Sequence, residues 1–414
     1  MKRILIIGVF ICCLLNCNIH LIANESTQEN FKLINEDYTT SAQHAIVYDV
    51  LDGRIVYDKG ANDQIYPASM TKIMSVIVAL DKIDDLDQTI LMDTKAFEGL
   101  EEANASVAGF KIGQVLTYRD LLAGTLLPSG AEASNQLAIS LYGSEGAMVI
   151  AMNDKVKELH LSHTHFVNTS GLHDDNHYTT PYEMAKIVEV ALHQEVLYQL
   201  LISDTYTLSD HSQVLQHTTN QMGDLDKIVY FEGGKTGFTL EAQNCLASFS
   251  TYENERLIMI VQGIPTRERV LEEVENLYAN IYQNNKRSQI IKKGEKVGEI
   301  SVLYGDEKTY PIKVKKDYSY FLPNEEKAKV YFEVQNDLEA PIKKGQGIGT
   351  ITIKIKDEVI SKFEVSASEE IKRNNIKYYG HNIWMFVQEN LFAVCLAGAT
   401  IILFIIYRRT KRKL

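Results

Sequence analysis

The chain has 414 residues, 45% of them hydrophobic and 23% charged, enough for two or three domains and a substantial core. Its 54 acidic residues against 42 lysines and arginines leave a net charge of -12. With that balance and no basic stripe, the chain is a poor nucleic-acid binder.

At the N-terminus, Lys2 and Arg3 precede an apolar run over residues 4–15, and Ala23 offers a small cleavage point. That layout predicts a secretory signal peptide over residues 1–23. A lipoprotein signal would use Cys17, but Asn16 is bulky where such sites take a small residue. Residues 24–43 are polar and read as a loose lead-in. Residues 44–49 and 54–57 flank Asp52-Gly53 and predict a hairpin. Over residues 70–80 the pattern is helical and apolar almost all round, which describes a buried central helix. Thr117 and Asp120 have the spacing of a helix N-cap ahead of Leu121, Leu122, Leu126 and Leu127. Pro128-Ser129-Gly130 breaks that helix, and residues 132–141 start another. Residues 227–231, 244–251 and 256–262 read as strands, and 268–282 as a closing helix. Residues 44–285 are therefore expected to form one α/β (α+β) domain. Its antiparallel sheet is flanked by helices gathered on one side, with a helical subdomain.

From residue 286 the composition shifts to short alternating runs rich in Lys, Val, Ile and Gly. Residues 291–300 (IKKGEKVGEI) are echoed by 342–351 (IKKGQGIGTI). Two related turn-plus-strand units predict a small all-β sandwich with quasi-symmetric halves over residues 286–368, a spacer or docking module. A polar linker, residues 369–383, leads to a membrane helix over 384–407, of which 391–407 is free of charge. The basic tail, residues 408–414, carries five cations and marks the cytoplasmic side. Signal and anchor together place everything between them outside the membrane. Setting aside Lys2, Arg3 and the five tail cations takes the charge of that outer part from -12 to -19. Of the five cysteines, Cys12, Cys13 and Cys17 lie in the signal and Cys395 in the anchor. Cys245 alone faces the outside, so no internal disulfide is expected there, and its alternating strand context predicts a packed core thiol.

Three separated stretches carry the chemistry: Ser69-Met70-Thr71-Lys72, Ser129-Gly130-Ala131 and Lys235-Thr236-Gly237. At a helix start Ser69 and Lys72 share one face, with Pro67 suited to the helix beginning. Burial against the apolar helix lowers the Lys72 pKa, and a neutral amine can take the proton of a serine hydroxyl. The backbone N–H of Ser69 is a natural donor to an oxyanion, and that of Phe238 a second. Small residues at Gly233, Gly234 and Gly237 let a ligand backbone approach the strand edge around Lys235 and Thr236. An ammonium at Lys235 suits a substrate carboxylate and disfavours a proton on Lys72. Histidines cluster at His160, His163, His165, His173 and His177, but no H-E-x-x-H and no paired cysteines accompany them. They read as solvated loop histidines, with no metal site expected.

S-x-x-K with S-D-N and K-T-G is the combined signature of penicillin-binding proteins and class A β-lactamases. Tyr66-Pro67-Ala68-Ser69-Met70-Thr71-Lys72-Ile73-Met74 resembles the nucleophile segment of serine-type D-alanyl-D-alanine carboxypeptidases, the low-molecular-mass penicillin-binding proteins. Leu127-Pro128-Ser129-Gly130-Ala131-Glu132-Ala133 resembles their second motif and Gly234-Lys235-Thr236-Gly237-Phe238-Thr239 their third. Phe166-Val167-Asn168, Gly171-Leu172 and residues 176–180 are similar to a further family segment. The resemblance implies a β-lactamase/transpeptidase-like fold and an acyl-enzyme on Ser69, formed from the penultimate D-alanine of a peptidoglycan stem peptide. It implies Lys72 as base, Ser129 as proton relay, and Lys235, Thr236 and Gly237 as the substrate-binding segment. β-Lactams would inhibit as acylating mimics, and no cofactor is expected. The family's second motif usually ends in Asn, where this chain has Ala131; Asn135, one helical turn on, is the nearest amide.

Other readings share these motifs. A class A β-lactamase adds a deacylating Glu in an E-x-x-L-N run, which the chain lacks, and is normally a soluble single domain. A D,D-transpeptidase or endopeptidase would use the same site with another acceptor. A catalytically weak, membrane-held cell-wall binding protein would treat Ala131 as decay, against the intact Ser69, Lys72, Ser129 and Lys235.

Overall fold

The computed structural model describes residues 38–222, 228–334 and 338–411. The expected signal peptide, residues 24–37 of the lead-in, Lys227 and the last three residues of the tail lie outside them. Strands β1 (His44–Asp49) and β2 (Arg54–Lys59) pair as the expected hairpin, and β1 carries the sheet inward. After them α1 (Thr71–Leu80) follows a 3-10 turn at Ala68–Met70 and is buried along nearly its whole length. A small helical region comes next. It holds the short pair β3 (Thr89–Leu91) and β4 (Val115–Thr117), then α2 (Tyr118–Leu126), α3 (Ala131–Tyr142) and α4 (Glu145–Glu158). The expected cap at α2 is a reciprocal box: Thr117 Oγ1 accepts from Asp120 N at 3.1 Å, and Asp120 accepts from Thr117 N at 2.9 Å. Helices α5 (Pro181–Leu192) and α6 (Glu195–Ile202) and the pair β5 (Thr205–Thr207) and β6 (Val214–Gln216) complete this part.

Strands β7 (Gly233–Thr239), β8 (Gln243–Tyr252) and β9 (Glu255–Ile264) close the sheet in the order β2-β1-β9-β8-β7, all antiparallel. The outer edge of β7 has no strand partner among the described residues. Side chains alternate across the sheet. Ile46, Tyr48, Ile258 and Ile260 join the core around α1 and α5, whereas Ala45, Val47, Leu257 and Met259 face the opposite way. That second face is covered by α7 (Glu268–Asn284) through Val270, Val274, Leu277 and Ile281. Helices therefore lie on both sides of the sheet, not on one as expected, because both faces of β1 and β9 are apolar and each needs a cover.

The strand expected over residues 227–231 does not form: residues 228–231 are irregular and the ladder begins at Gly233. The N–H groups of Val229 and Tyr230 are satisfied instead by the Glu275 carboxylate on α7, at 2.9 and 3.1 Å.

Beyond α7 lie β10 (Asn285–Ile291), β11 (Lys296–Ile300), β12 (Tyr310–Lys313), β13 (Tyr318–Pro323), β14 (Lys329–Val334), β15 (Gly347–Ile355) and β16 (Glu358–Ser366). They form three small antiparallel sheets around Ile291, Ile300, Ile342, Ile351 and Ile353. The sequence echo is an echo in structure. Gly294 and Gly345 take φ of +83° and +88° in matching turns, and their N–H groups donate to Val314 O and Ala367 O, each at 2.9 Å. Gly298 and Gly349 both abut the ring of Phe332, which a Cβ at either would meet at 2.6 and 2.8 Å. Arg287 ties this region to the sheet, with Nε 2.5 Å from Glu255 and Nη1 2.7 Å from Asp52. Two helices end the chain, α8 (Asn375–Glu389) and α9 (Leu391–Lys411). The expected polar linker thus holds the first half of α8, and the apolar run breaks at Asn390 instead of running on from 384. Only α9, among the described residues, is long and apolar enough to cross a membrane.

Candidate active site

Ser69 stands in the 3-10 turn ahead of α1, and Lys72 one turn on. The Lys72 Nζ lies 3.1 Å from Ser69 Oγ and donates to Ser170 O at 2.6 Å. Lys72 is buried, and burial brings its pKa down to about 7 although the Glu132 carboxylate pulls the other way. An amine that is half neutral near pH 7 can accept a hydroxyl proton at that distance.

The carbonyl of Ser170 is set by its loop. Asn168 Oδ1 accepts from Ser170 N and Gly171 N, at 3.2 and 2.7 Å, and its Nδ2 donates to Leu172 O. Gly171 has φ +82°, and a Cβ there would sit 1.9 Å from Ala68 O. On the other side a Cβ at Gly237 would come within 3.2 Å of Ser69 N. Two glycines thus clamp the Ser69 turn between a loop and the edge of β7.

Ser129 lies between α2 and α3 with φ +66°, a left-handed backbone that costs a non-glycine residue. Its Oγ is buried and, among the described residues, without a hydrogen-bond partner. The segment is locked by Gly130 N donating to Gly124 O and Ala131 N to Ser106 O, both at 2.8 Å. Lys235 on β7 is fully buried, with Nζ donating to Thr236 O at 3.1 Å. Burial, then Lys72, then Arg267 hold its pKa well below the ordinary lysine value. Thr236 Oγ1 is 2.7 Å from Thr218 Oγ1, and Arg267 donates to Thr218 O at 3.1 Å. These groups converge on one cleft of about 740 Å³, lined among others by Ser69, Lys72, Ser129, Thr236, Gly237 and Phe238. All three sequence motifs meet there.

Sequence reasoning missed Ser170, Thr218 and Arg267, and gave Glu132, inside the second motif, no role of its own. Glu132 accepts from the N–H groups of Ala108, Gly109 and Phe110, at 2.6, 2.9 and 3.3 Å. Its neighbour Ala131 was a visible pointer; nothing in the local sequence singled out Arg267. Asn135 does not reach the cleft, because it donates to Ala96 O and accepts from Thr169 Oγ1. His177 corrects the loop-histidine expectation: it is buried, 2.7 Å from Thr71 Oγ1, and burial pushes its pKa down to about 4. His160, His163 and His165 are exposed as expected, and Cys245 is the packed core thiol expected, its pKa pushed up to about 12 by burial.

A serine beside a buried amine of lowered pKa, in a cleft with a second buried lysine and a half-buried arginine close by, is the arrangement of a serine acyl-transfer enzyme. The D-alanyl-D-alanine carboxypeptidase family model matches residues 30–266, and the model of the penicillin-binding protein 5 C-terminal domain matches 286–373. The chain belongs to the D-alanyl-D-alanine carboxypeptidase family. It is 29% identical over 343 residues to D-alanyl-D-alanine carboxypeptidase DacF of Bacillus subtilis, covering 80% of this chain and 86% of that one. Similarity to DacA of Escherichia coli is 28% over 346 residues, covering 81% and 84%. Its fold is similar to the crystal structure of penicillin binding protein 5 from Haemophilus influenzae, with a TM-score of 0.68 and 24% identity, over 81% of this chain and 99% of that one.

Proposed function

We infer that this protein is a serine D-alanyl-D-alanine carboxypeptidase, removing the terminal D-alanine of peptidoglycan stem peptides and open to acylation by β-lactams. The single observation that carries the residue roles is the 3.1 Å approach of Ser69 Oγ to a Lys72 amine with a pKa of about 7. Ser69 Oγ attacks the penultimate D-alanine carbonyl while its proton passes to Lys72. Charge developing on the carbonyl oxygen is met by the N–H groups of Ser69 and Phe238. Collapse breaks the peptide bond, and the departing amine takes a proton through Ser129, whose Oγ has no other partner among the described residues. Water then cleaves the ester, with Lys72 as base, and restores Ser69.

The terminal carboxylate is bound at Lys235 and Thr236, with Arg267 beside them. Burial and like charges hold the Lys235 pKa low, so an arriving carboxylate restores the proton and strengthens its own attraction in the low-dielectric site. Gly237 lets the substrate backbone lie along the edge of β7. The anchor is α9, spanning the membrane with Arg408, Arg409 and Lys411 on the cytoplasmic side and the cleft outside.

Full-length protein in detergent, given a stem pentapeptide, is expected to release one D-alanine per peptide. Transfer of the acyl group to an added amine with no free hydrolysis product would assign the site to transpeptidation, and no turnover would overturn the reading.

A further inference from the structure

The two ends of the cleft carry opposite kinds of ionisable group, basic at one and acidic at the other. Lys235 and Arg267 stand at the end where β7 begins. At the other end, past Thr239, the β7–β8 turn brings Glu241 to the lining. There His173, also in the lining, sits between two carboxylates: Nδ1 is 3.7 Å from Glu241 and Nε2 is 3.5 Å from Asp175. Tyr66 packs edge-on against the His173 ring, with centroids 4.7 Å apart, and fixes it. Phe238 and Leu240, 59% and 83% exposed, add apolar surface on the way. In the same cleft the Ser129 Oγ is buried and, among the described residues, without a hydrogen-bond partner.

A peptide bound with its carboxylate at Thr236 and its scissile carbonyl at Ser69 runs along the free edge of β7. An extended chain advances about 3.3 Å per residue, as a strand does. The residue ahead of D-alanyl-D-alanine then lies beside Thr239 and Leu240, and a long side chain there ends at Glu241. We propose that Glu241 and Asp175 select stem peptides whose residue ahead of D-alanyl-D-alanine carries a distal ammonium on an aliphatic stem, without a free distal carboxylate. That chemistry is shared by a lysine and by a diaminopimelate whose distal carboxyl is amidated. The inference rests on the carboxypeptidase reading and adds to it a preference for charge.

The test compares D-alanine release from Nα-acetyl-L-lysyl-D-alanyl-D-alanine and its Nε-acetylated form, using full-length protein in detergent at low salt. Exposed ion pairs are modest, so the free amine is expected to raise kcat/KM about two- to five-fold, mainly through KM. The preference shrinks in 0.5 M salt, a salt level chosen at roughly a 4 Å screening length. Glu241→Gln lowers the ratio of the two peptides, and Glu241→Gln with Asp175→Asn brings it to about one. A peptide with unamidated diaminopimelate falls below the lysyl peptide, and amidating it restores the rate. Equal rates for both lysyl peptides in the wild type, or a ratio unchanged in the double variant, would overturn the proposal while leaving the carboxypeptidase reading intact. Release from neither peptide would instead remove that reading and the proposal with it.

Discussion

The catalytic region and the β region use their glycines and buried groups in opposite ways. Around the cleft, Gly171 and Gly237 press against the Ser69 turn, Ser129 holds a left-handed backbone, and two lysines are buried side by side with lowered pKa values. Each of these costs stability and is kept only where the surroundings over-determine it. In the β region the paired glycines Gly298 and Gly349 share one aromatic ring, and the turn glycines Gly294 and Gly345 repeat one geometry. There the close contacts serve packing. The tight contacts around the cleft bear on the Ser69 turn and the Ser129 hydroxyl, where acyl transfer is proposed, whereas those of the β region bear on a packed ring.

The largest expected effect of breaking that contrast is at Gly171. Its Cβ in Gly171→Ala would sit 1.9 Å from Ala68 O, displacing the Ser69 turn or the Ser170 carbonyl on Lys72. A misplacement of that kind costs about a hundredfold, and penicillin acylation should fall by that order with circular dichroism little changed. The pH dependence comes next. Lys72 has its pKa lowered to about 7, so it is protonated and inactive as a base below that value. Acylation should therefore rise about tenfold from pH 6 to a plateau above pH 8, as read by stopped-flow at each pH.

At Ala131, Ala131→Asn supplies an amide that Asn135 cannot, since Asn135 is committed to Ala96 and Thr169. One hydrogen bond of about 0.5–1.5 kcal/mol corresponds to a few-fold change, expected upward, in the second-order acylation rate. The smallest effect on catalysis belongs to the β region. Phe332→Ala removes the ring shared by Gly298 and Gly349 and should cost about 2 kcal/mol of stability, seen by thermal unfolding, with the acylation rate unchanged.

The parts of the fold legible in the sequence were those with local causes. The Thr117–Asp120 box, the hairpin at Asp52-Gly53, the apolar helix after Ser69 and the doubled turn at Gly294 and Gly345 each follow from a few neighbouring residues. What escaped was set by distant partners. Glu275 on α7 takes the N–H groups that would have made residues 228–231 a strand. His177 is buried because Thr71, over a hundred positions earlier, offers it a hydroxyl. The cleft divides the same way. Ser69 and Lys72 declare themselves by spacing, whereas Ser170 acts through a carbonyl that any residue carries, and Arg267 reaches the cleft only because α7 starts beside Thr218.

In the proposed reaction these three separated segments make one acylating centre with Ser69 as its nucleophile. Intact-mass measurement after benzylpenicillin treatment, followed by peptide mapping, tests it most directly. A single adduct on the peptide that contains Ser69, absent from Ser69→Ala, is the result expected. An adduct that persists in Ser69→Ala, or that maps to another residue, would contradict it.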